Sequence, residues 1–269
     1  MGTVSILPLV RVPPRDDARR MPLTDTATLA ADAALLVIDV QRGFRDTRFG
    51  RRDNPGCERN IAALAAAWVS TGRPIVRVRH ASRPAPAEHR SGTQGTGTHH
   101  AETRDPGTHD PEPRDPRPEL PPLHPQAPGY AFEPFVDALD PALDLVKHVH
   151  SAFHADIDLH AWLQERHIGQ LVVCGIQTNL CCETTSRLGG NLGYDVLFPF
   201  DATHTFDQRD PLTDGVVTAE QLAAATRSTL ARGFATVVST STLVAAARVP
   251  RPDPSRRRTP ALPTLDGRG

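Results

Sequence analysis

Short apolar runs alternate along this chain with segments whose apolar side chains return every three or four positions. The runs fall at residues 33–38, 75–79, 144–147, 171–174, 194–198 and 233–238. Each is too short for a buried helix and suits a strand buried on both faces of a parallel sheet. The periodic segments predict the intervening helices. Asn54-Pro55-Gly56 opens one that carries Ile61, Leu64, Ala65 and Trp68, and Gly72-Arg73-Pro74 stops it. A second starts near Asp156 and carries Ile157, Leu159, Trp162 and Leu163 to a stop at Gly169. A third follows Cys181-Cys182-Glu183-Thr184-Thr185 and ends at Gly189-Gly190 or Gly193. Thr218 is an N-cap for a fourth that runs through Leu230. Strand and helix in alternation predict an α/β fold, a doubly wound three-layer sandwich on a mainly parallel sheet of about six strands with right-handed crossovers.

Three stretches break the pattern. Residues 1–31 are rich in Arg, Pro, Asp and Thr without a sustained apolar period, and read as a disordered arm in which Met21 is a second candidate start. Residues 81–128 hold eleven prolines in 48 positions and two large apolar side chains, Leu120 and Leu123. A degenerate repeat runs through them as Arg104-Asp105-Pro106, His109-Asp110-Pro111 and Arg114-Asp115-Pro116. Such a segment buries too little surface to offset its ordering entropy, so it reads as a low-complexity insertion, with order resuming near Gly129. Residues 248–269 form a Pro/Arg tail. One domain, 32–247, remains around the insertion.

Composition narrows the function classes. A formal charge of −1 and a pI near 6.9 give no global attraction to nucleic acid or to an anionic membrane. No apolar run approaches the ~20 residues of a membrane span. The apolar patch at 4–10 has no basic residue before it, which argues against a secretory leader. Four cysteines, Cys57, Cys174, Cys181 and Cys182, are sparse for 269 residues, and two are adjacent. Reduced thiols in a cytoplasmic protein are the expectation, with a small molecule as partner.

The chemistry gathers at strand ends. In doubly wound sheets ligands bind beyond the carboxyl ends of the strands, where strand order switches. Asp39, Lys147 and Cys181 each lie at or just past such an end. Cys181 follows a strand and opens a helix, where helix N–H groups and the dipole favour a thiolate. An ammonium at Lys147 would favour the anion further, and Asp39 can take the thiol proton and later deliver it to a leaving amine, or activate the deacylating water. The turn before Cys181 offers N–H groups for an oxyanion. Together these describe acyl transfer from an amide-type C–N bond through a thioester.

The same residues resemble the isochorismatase-like cysteine hydrolases, which include nicotinamidases and N-carbamoylsarcosine amidases. Ile38-Asp39-Val40-Gln41-Arg42-Gly43-Phe44 is similar to the family's first-strand motif, and Lys147-His148-Val149-His150-Ser151-Ala152-Phe153 to its Lys-xxx-Ser-Ala-Phe. Gly175-Ile176-Gln177-Thr178-Asn179-Leu180-Cys181 is similar to its Gly-xxx-Thr-xx-Cys, with Gly193-Tyr194 and Asp201-Ala202 following. The matches run in family order from about 34 to 246, outside the insertion. The resemblance implies Asp39 as general acid/base, Lys147 as activating cation and Cys181 as nucleophile. It also implies a non-proline cis peptide at Ile176–Gln177 and an oxyanion hole from the Gln177 and Cys181 amides. Cofactor-free chemistry, a homo-oligomer and a small-molecule substrate are further implications. The Cys-Cys-Glu-Thr-Thr run resembles streptothricin-hydrolase-like members more than nicotinamidases. The metal motif of nicotinamidases, Asp-x-His-Pro-x-x-His, is replaced by His80-Ala81-Ser82-Arg83-Pro84 with His89 beyond, so no metal is expected.

Plainer readings stand beside these. Cys174 reads as a small buried hydrophobe and Cys57 as structural, while Cys182 is the alternative nucleophile by register. Gln41, Phe44, Phe153, Asn179 and His204 flank the trio as substrate-binding candidates, although Phe44 and Phe153 suit a core equally. His148 and His150 alternate on the lysine segment and read as surface residues, with one of them a candidate for the pocket. The histidines at 99, 100, 109 and 124 fit no ligand spacing. A dinucleotide-binding protein would need Gly-x-Gly-x-x-Gly after the first strand, where Asp39-Val40-Gln41-Arg42-Gly43 stands instead. Two alternatives remain: a metal-dependent nicotinamidase-type amidase, and a non-catalytic interaction protein using the Pro-rich insertion as a tether.

Overall fold

The computed structural model describes residues 27–82 and 120–248. The first apolar run is β1 (Ala34–Ile38), followed by α1 (Cys57–Thr71), β2 (Ile75–His80), α2 (Pro134–Asp137) and β3 (Leu143–Lys147). The second half runs α3 (Leu159–Glu165), β4 (Gln170–Ile176), α4 (Glu183–Asn191), β5 (Asp195–Pro199), β6 (Thr203–His204), β7 (Gln208–Arg209), β8 (Val216–Val217), α5 (Ala219–Leu230), β9 (Thr236–Val238) and α6 (Thr240–Ala247). The main sheet is parallel in the order β3-β2-β1-β4-β5-β9, with the two-residue β6 pairing the end of β4. β7 and β8 form a separate antiparallel hairpin.

Alternation along β1 decides the layers. Leu35 and Val37 point into one core with Ile61, Leu64 and Trp68 of α1 and Leu243 of α6. Ala34, Leu36 and Ile38 point into the other with Leu159, Trp162 and Leu163 of α3 and Leu230 of α5. All five β1 residues are buried, as a strand covered on both faces requires. This is the doubly wound sandwich that the pattern predicts. β2 and β3 extend from one side of β1 and β4 from the other, so strand order switches between β1 and β4. At that switch Gly175 takes φ +127°, and a Cβ there would lie 2.0 Å from the Ile38 carbonyl oxygen. Only glycine lets the two strands meet so closely.

Several boundaries differ from the pattern. Of the two ends predicted for α4, the structure takes the one at Gly193, which follows the Leu192 cap at φ 91°, while Gly189 and Gly190 lie inside the helix, where a Cβ on Gly190 would sit 2.5 Å from the Phe234 oxygen. The third helix of the sandwich starts at Leu159, where the Asp158 carboxylate caps the Ala161 amide. α6 and the short strands β6 to β8 escape the apolar pattern altogether. The described residues reach into both the arm and the insertion. Ala27, Leu29 and Ala30 pack on the first core, and the Ala30 amide donates to Gln170 Oε1 at 2.7 Å. From Leu120 the insertion is described, and Leu123 is buried with Phe44, Ile176 and Phe206. The five-residue repeat, the histidines at 99, 100 and 109, His89 and the tail beyond Arg248 lie outside the described residues. Among the described residues no helix is long and apolar enough to cross a membrane.

Candidate active site

Parallel pairing sets the site. His80 at the end of β2 is in register with Lys147 at the end of β3, and Asp39 follows the last residue of β1. Asp39 leaves the strand at φ 53°, and its amide donates to the Val78 oxygen at 2.8 Å. β4 ends at Ile176, the Ile176–Gln177 peptide is cis, and a π-helical turn over Thr178–Cys182 carries Cys181 to the mouth of α4. Three side chains far apart in sequence meet there. Lys147 Nζ donates to Asp39 Oδ2 at 2.5 Å and to Cys181 Sγ at 3.3 Å, with both charged side chains fully buried.

The fourth neighbour is one that the sequence pattern does not single out. His80 Nδ1 lies 3.3 Å from Lys147 Nζ. Burial, then the Lys147 charge, depresses His80 to about 4, so at neutral pH its imidazole is uncharged and accepts from the ammonium. The three donors of the ammonium are thereby assigned to a carboxylate, a sulfur and an imidazole. Asp39, His80 and Cys181 offer ligand atoms within 4.8 Å of one another, a set that suits a thiophilic cation by donor type. The Lys147 ammonium already contacts all three, and a second cation among them would meet its charge directly. The set does not fit a metal while Lys147 is in place.

Electrostatics revise the resting state of the nucleophile. Burial raises the Cys181 thiol above its ordinary value, the Asp39 carboxylate adds to this, and Lys147 only partly opposes both. Burial likewise raises Asp39 against the pull of Lys147. For Lys147, burial works against the charge, but the Asp39 and Cys181 partners outweigh it and hold the ammonium above its ordinary value. The free site therefore holds a neutral thiol beside an ion pair, not the preformed thiolate expected from a helix terminus. Desolvation is the reason.

The remaining candidates take different places. Gln41 is committed to backbone: its Oε1 accepts from the His80 amide at 2.8 Å, and its Nε2 donates to the oxygens of His80 at 3.1 Å and Tyr130 at 2.9 Å. It clamps the strand end that presents His80. Asn179 Oδ1 accepts from Thr205 Oγ1 at 2.5 Å, and the same hydroxyl lies 3.4 Å from Gln177 Oε1. Phe44 joins Phe49 and Phe206 in an aromatic cluster beneath Leu123. Phe153 stacks on Tyr194 at the α4 side. His150, read as a surface residue, is exposed and also brings Nδ1 to 3.5 Å from Cys181 Sγ. Cys57, Cys174 and Cys182 are buried, free thiols. A cavity of about 590 Å³ opens between Arg42 to Arg48 and residues 120–129, and none of Asp39, His80, Lys147 and Cys181 is among its lining residues. Gly43 lies at its wall, with Leu123 and Pro122 so close that a Cβ would meet each at 2.7 Å.

His204 is fully buried, with neither ring nitrogen hydrogen-bonded and Glu58 Oε1 3.9 Å away. Burial, then the Arg52 charge, lowers it to about 4. Between that value and ~6.5, where an unfolded histidine titrates, the unfolded chain binds more protons, so stability falls as pH falls through this window. His80 acts in the same direction. Replacing His204 with leucine should remove about 2 kcal/mol of the stability lost between about pH 7 and pH 5. Urea midpoints of variant and parent at both pH values test this, and parallel losses in the two proteins would contradict it.

Comparison with known proteins places the chain. Residues 33–242 match the family model described as the isochorismatase domain. The isochorismatase family protein YrdC of Bacillus subtilis is 28% identical over 211 residues, covering 78% of this chain and 94% of that protein. Nicotinamidase 3 of Arabidopsis thaliana is 38% identical over 92 residues, covering 34% of this chain and 40% of that protein. A crystal structure of an isochorismatase-family hydrolase from Chromobacterium violaceum superposes with a TM-score of 0.64 at 27% identity, covering 84% of this chain and 98% of that one.

Proposed function

The chain belongs to the isochorismatase family, and on that premise we propose that it is a cysteine hydrolase cleaving a C–N bond of a small amide, lactam or ureido compound through a thioester on Cys181. The observation that carries this reading is the chain of contacts from Asp39 through Lys147 to Cys181, buried at the sheet's switch point. As Sγ attacks the carbonyl, the thiol proton passes to Asp39, whose raised affinity for protons suits it to receive one. Lys147 holds the charge that this transfer would otherwise leave unbalanced. The carbonyl oxygen becomes an oxyanion facing the Gln177 and Cys181 amides, and Asp39 then protonates the departing nitrogen. Water cleaves the thioester and restores the thiol.

A metal-dependent nicotinamidase-type reaction is the second reading, favoured by the Asp39, His80 and Cys181 ligand set and by the partial match to a nicotinamidase. Lys147 at the centre of that set weighs against it. One experiment separates the two: a panel of primary amides, lactams and ureides, followed by ammonia release and by product mass. Turnover unaffected by a chelator is the expected result. Loss on chelation with recovery on adding a divalent cation would overturn the cofactor-free mechanism.

A further inference from the structure

His150 places an imidazole nitrogen 3.5 Å from Cys181 Sγ on the solvent side of the site, and from this geometry we infer that it is a further catalytic residue, the base that activates the water cleaving the thioester. The inference rests on the thioester reading above.

Deacylation needs a group that can take a proton from water at the acyl carbon. Around Sγ, Lys147 is a charged donor and offers no lone pair. Asp39 is fully buried, with Oδ2 held by Lys147 at 2.5 Å and Oδ1 unpartnered but shut off from solvent, so it can take the thiol proton yet does not meet incoming water directly. His80 is engaged with the same ammonium. Of the two side chains hydrogen-bonded to Sγ among the described residues, Lys147 and His150, only His150 is exposed, and water enters from solvent as the amine leaves.

Its position is fixed by neighbours on both sides. Lys147 bridges to Ala155, and the Lys147 oxygen accepts from the Ala81 amide at 2.8 Å. His148 Nδ1 meets the Ala81 oxygen at 2.7 Å, and the Ser151 hydroxyl accepts from the Phe153 amide at 3.2 Å. The activating lysine and this histidine thus stand on one braced turn, three positions apart.

The step balances without a redox partner. Water loses a proton to Nδ1 of an imidazole protonated on Nε2 while its oxygen bonds the acyl carbon. The tetrahedral species collapses, the C–S bond breaks, and the departing sulfur takes the proton back from His150. The products are the acid and the free thiol.

The test uses para-nitrophenyl acetate as acylating probe on the parent, His150→Gln and His150→Ala. Nitrophenolate release reports acylation, and intact mass reports the acetyl group on Cys181. The expected result is a retained burst in both variants, steady turnover slowed about 100-fold, and accumulation of acetyl enzyme. Added imidazole should restore turnover in His150→Ala. An unchanged steady rate without accumulation would overturn the role of His150 alone, and so would loss of the burst together with the steady rate. No acetyl group on Cys181 of the parent would overturn the thioester reading itself.

Discussion

Replacing Cys181 with alanine is expected to lower turnover by about 10⁴-fold or more while leaving the fold intact. The size follows from the mechanism: without sulfur there is no covalent intermediate, and the groups arranged around it lose their substrate. Lys147 then donates to nothing at that corner, and Asp39 has no thiol to deprotonate. The structural cost is small, because a sulfur is exchanged for a cavity of atomic size in a site open to solvent at His150. Cys182→Ala is the control. Cys182 is fully buried in the second core and its thiol makes none of the site's hydrogen bonds, its amide bond to the Gln177 oxygen being kept by alanine, so its variant should keep activity at some cost in stability. Kinetics and circular dichroism on both proteins check this, and an active Cys181→Ala protein would refute the assignment.

Replacing Lys147 with methionine should remove activity and also cost about 3–5 kcal/mol of stability. The Asp39–Lys147 pair is 0% exposed on both sides, so removing one partner leaves an uncompensated buried charge or forces a proton onto Asp39. The burden is already visible in the pair, since Asp39 Oδ1 has no hydrogen-bond partner and burial raises its affinity for protons. The double variant Asp39→Asn with Lys147→Met buries neutral groups of similar size. It should recover most of the lost stability and none of the activity, since a pair held for chemistry need not be the most stable solution. Urea unfolding of the parent, both single variants and the double variant gives the coupling directly. Additive losses would show that the pair is not the energetic unit described.

The stability and chemistry of this site were unequally legible in the residues. β1, β2 and β4 announce themselves as apolar runs, and Asp39, Lys147 and Cys181 follow from the rule that parallel strands present reactive groups at their carboxyl ends. That rule is local, and it works because each side chain sits within a few positions of a recognisable element. His80 is also at a strand end, but its contact with Lys147 depends on β2 pairing with β3 in one register, which no single segment encodes. His150 looks like one polar residue among exposed neighbours until the turn after β3 brings it to Cys181. Leu123 is hidden for a different reason: averaging over a proline-rich window erases one apolar side chain, yet that side chain seals the aromatic cluster around Phe44 and Phe206. Gln41 shows the reverse case. Its place beside Asp39 suggests substrate contact, whereas its amide braces the backbone of His80. α6 is hard to read because Thr240-Ser241-Thr242 looks like a polar loop, and beside the local Ser239 cap its start is held by a long-range contact, the Thr240 amide and hydroxyl donating to Asp201 Oδ1 at 2.8 Å.

The proposed mechanism turns on a covalent bond between the substrate carbonyl carbon and Cys181 Sγ. Rapid quenching of the enzyme with a turned-over amide, followed by digestion and mass spectrometry, measures it directly. The expected result is an acyl adduct on the peptide containing Cys181, formed and lost at rates that match turnover. Turnover with every cysteine unmodified at all quench times, or an adduct confined to Cys182, would contradict it.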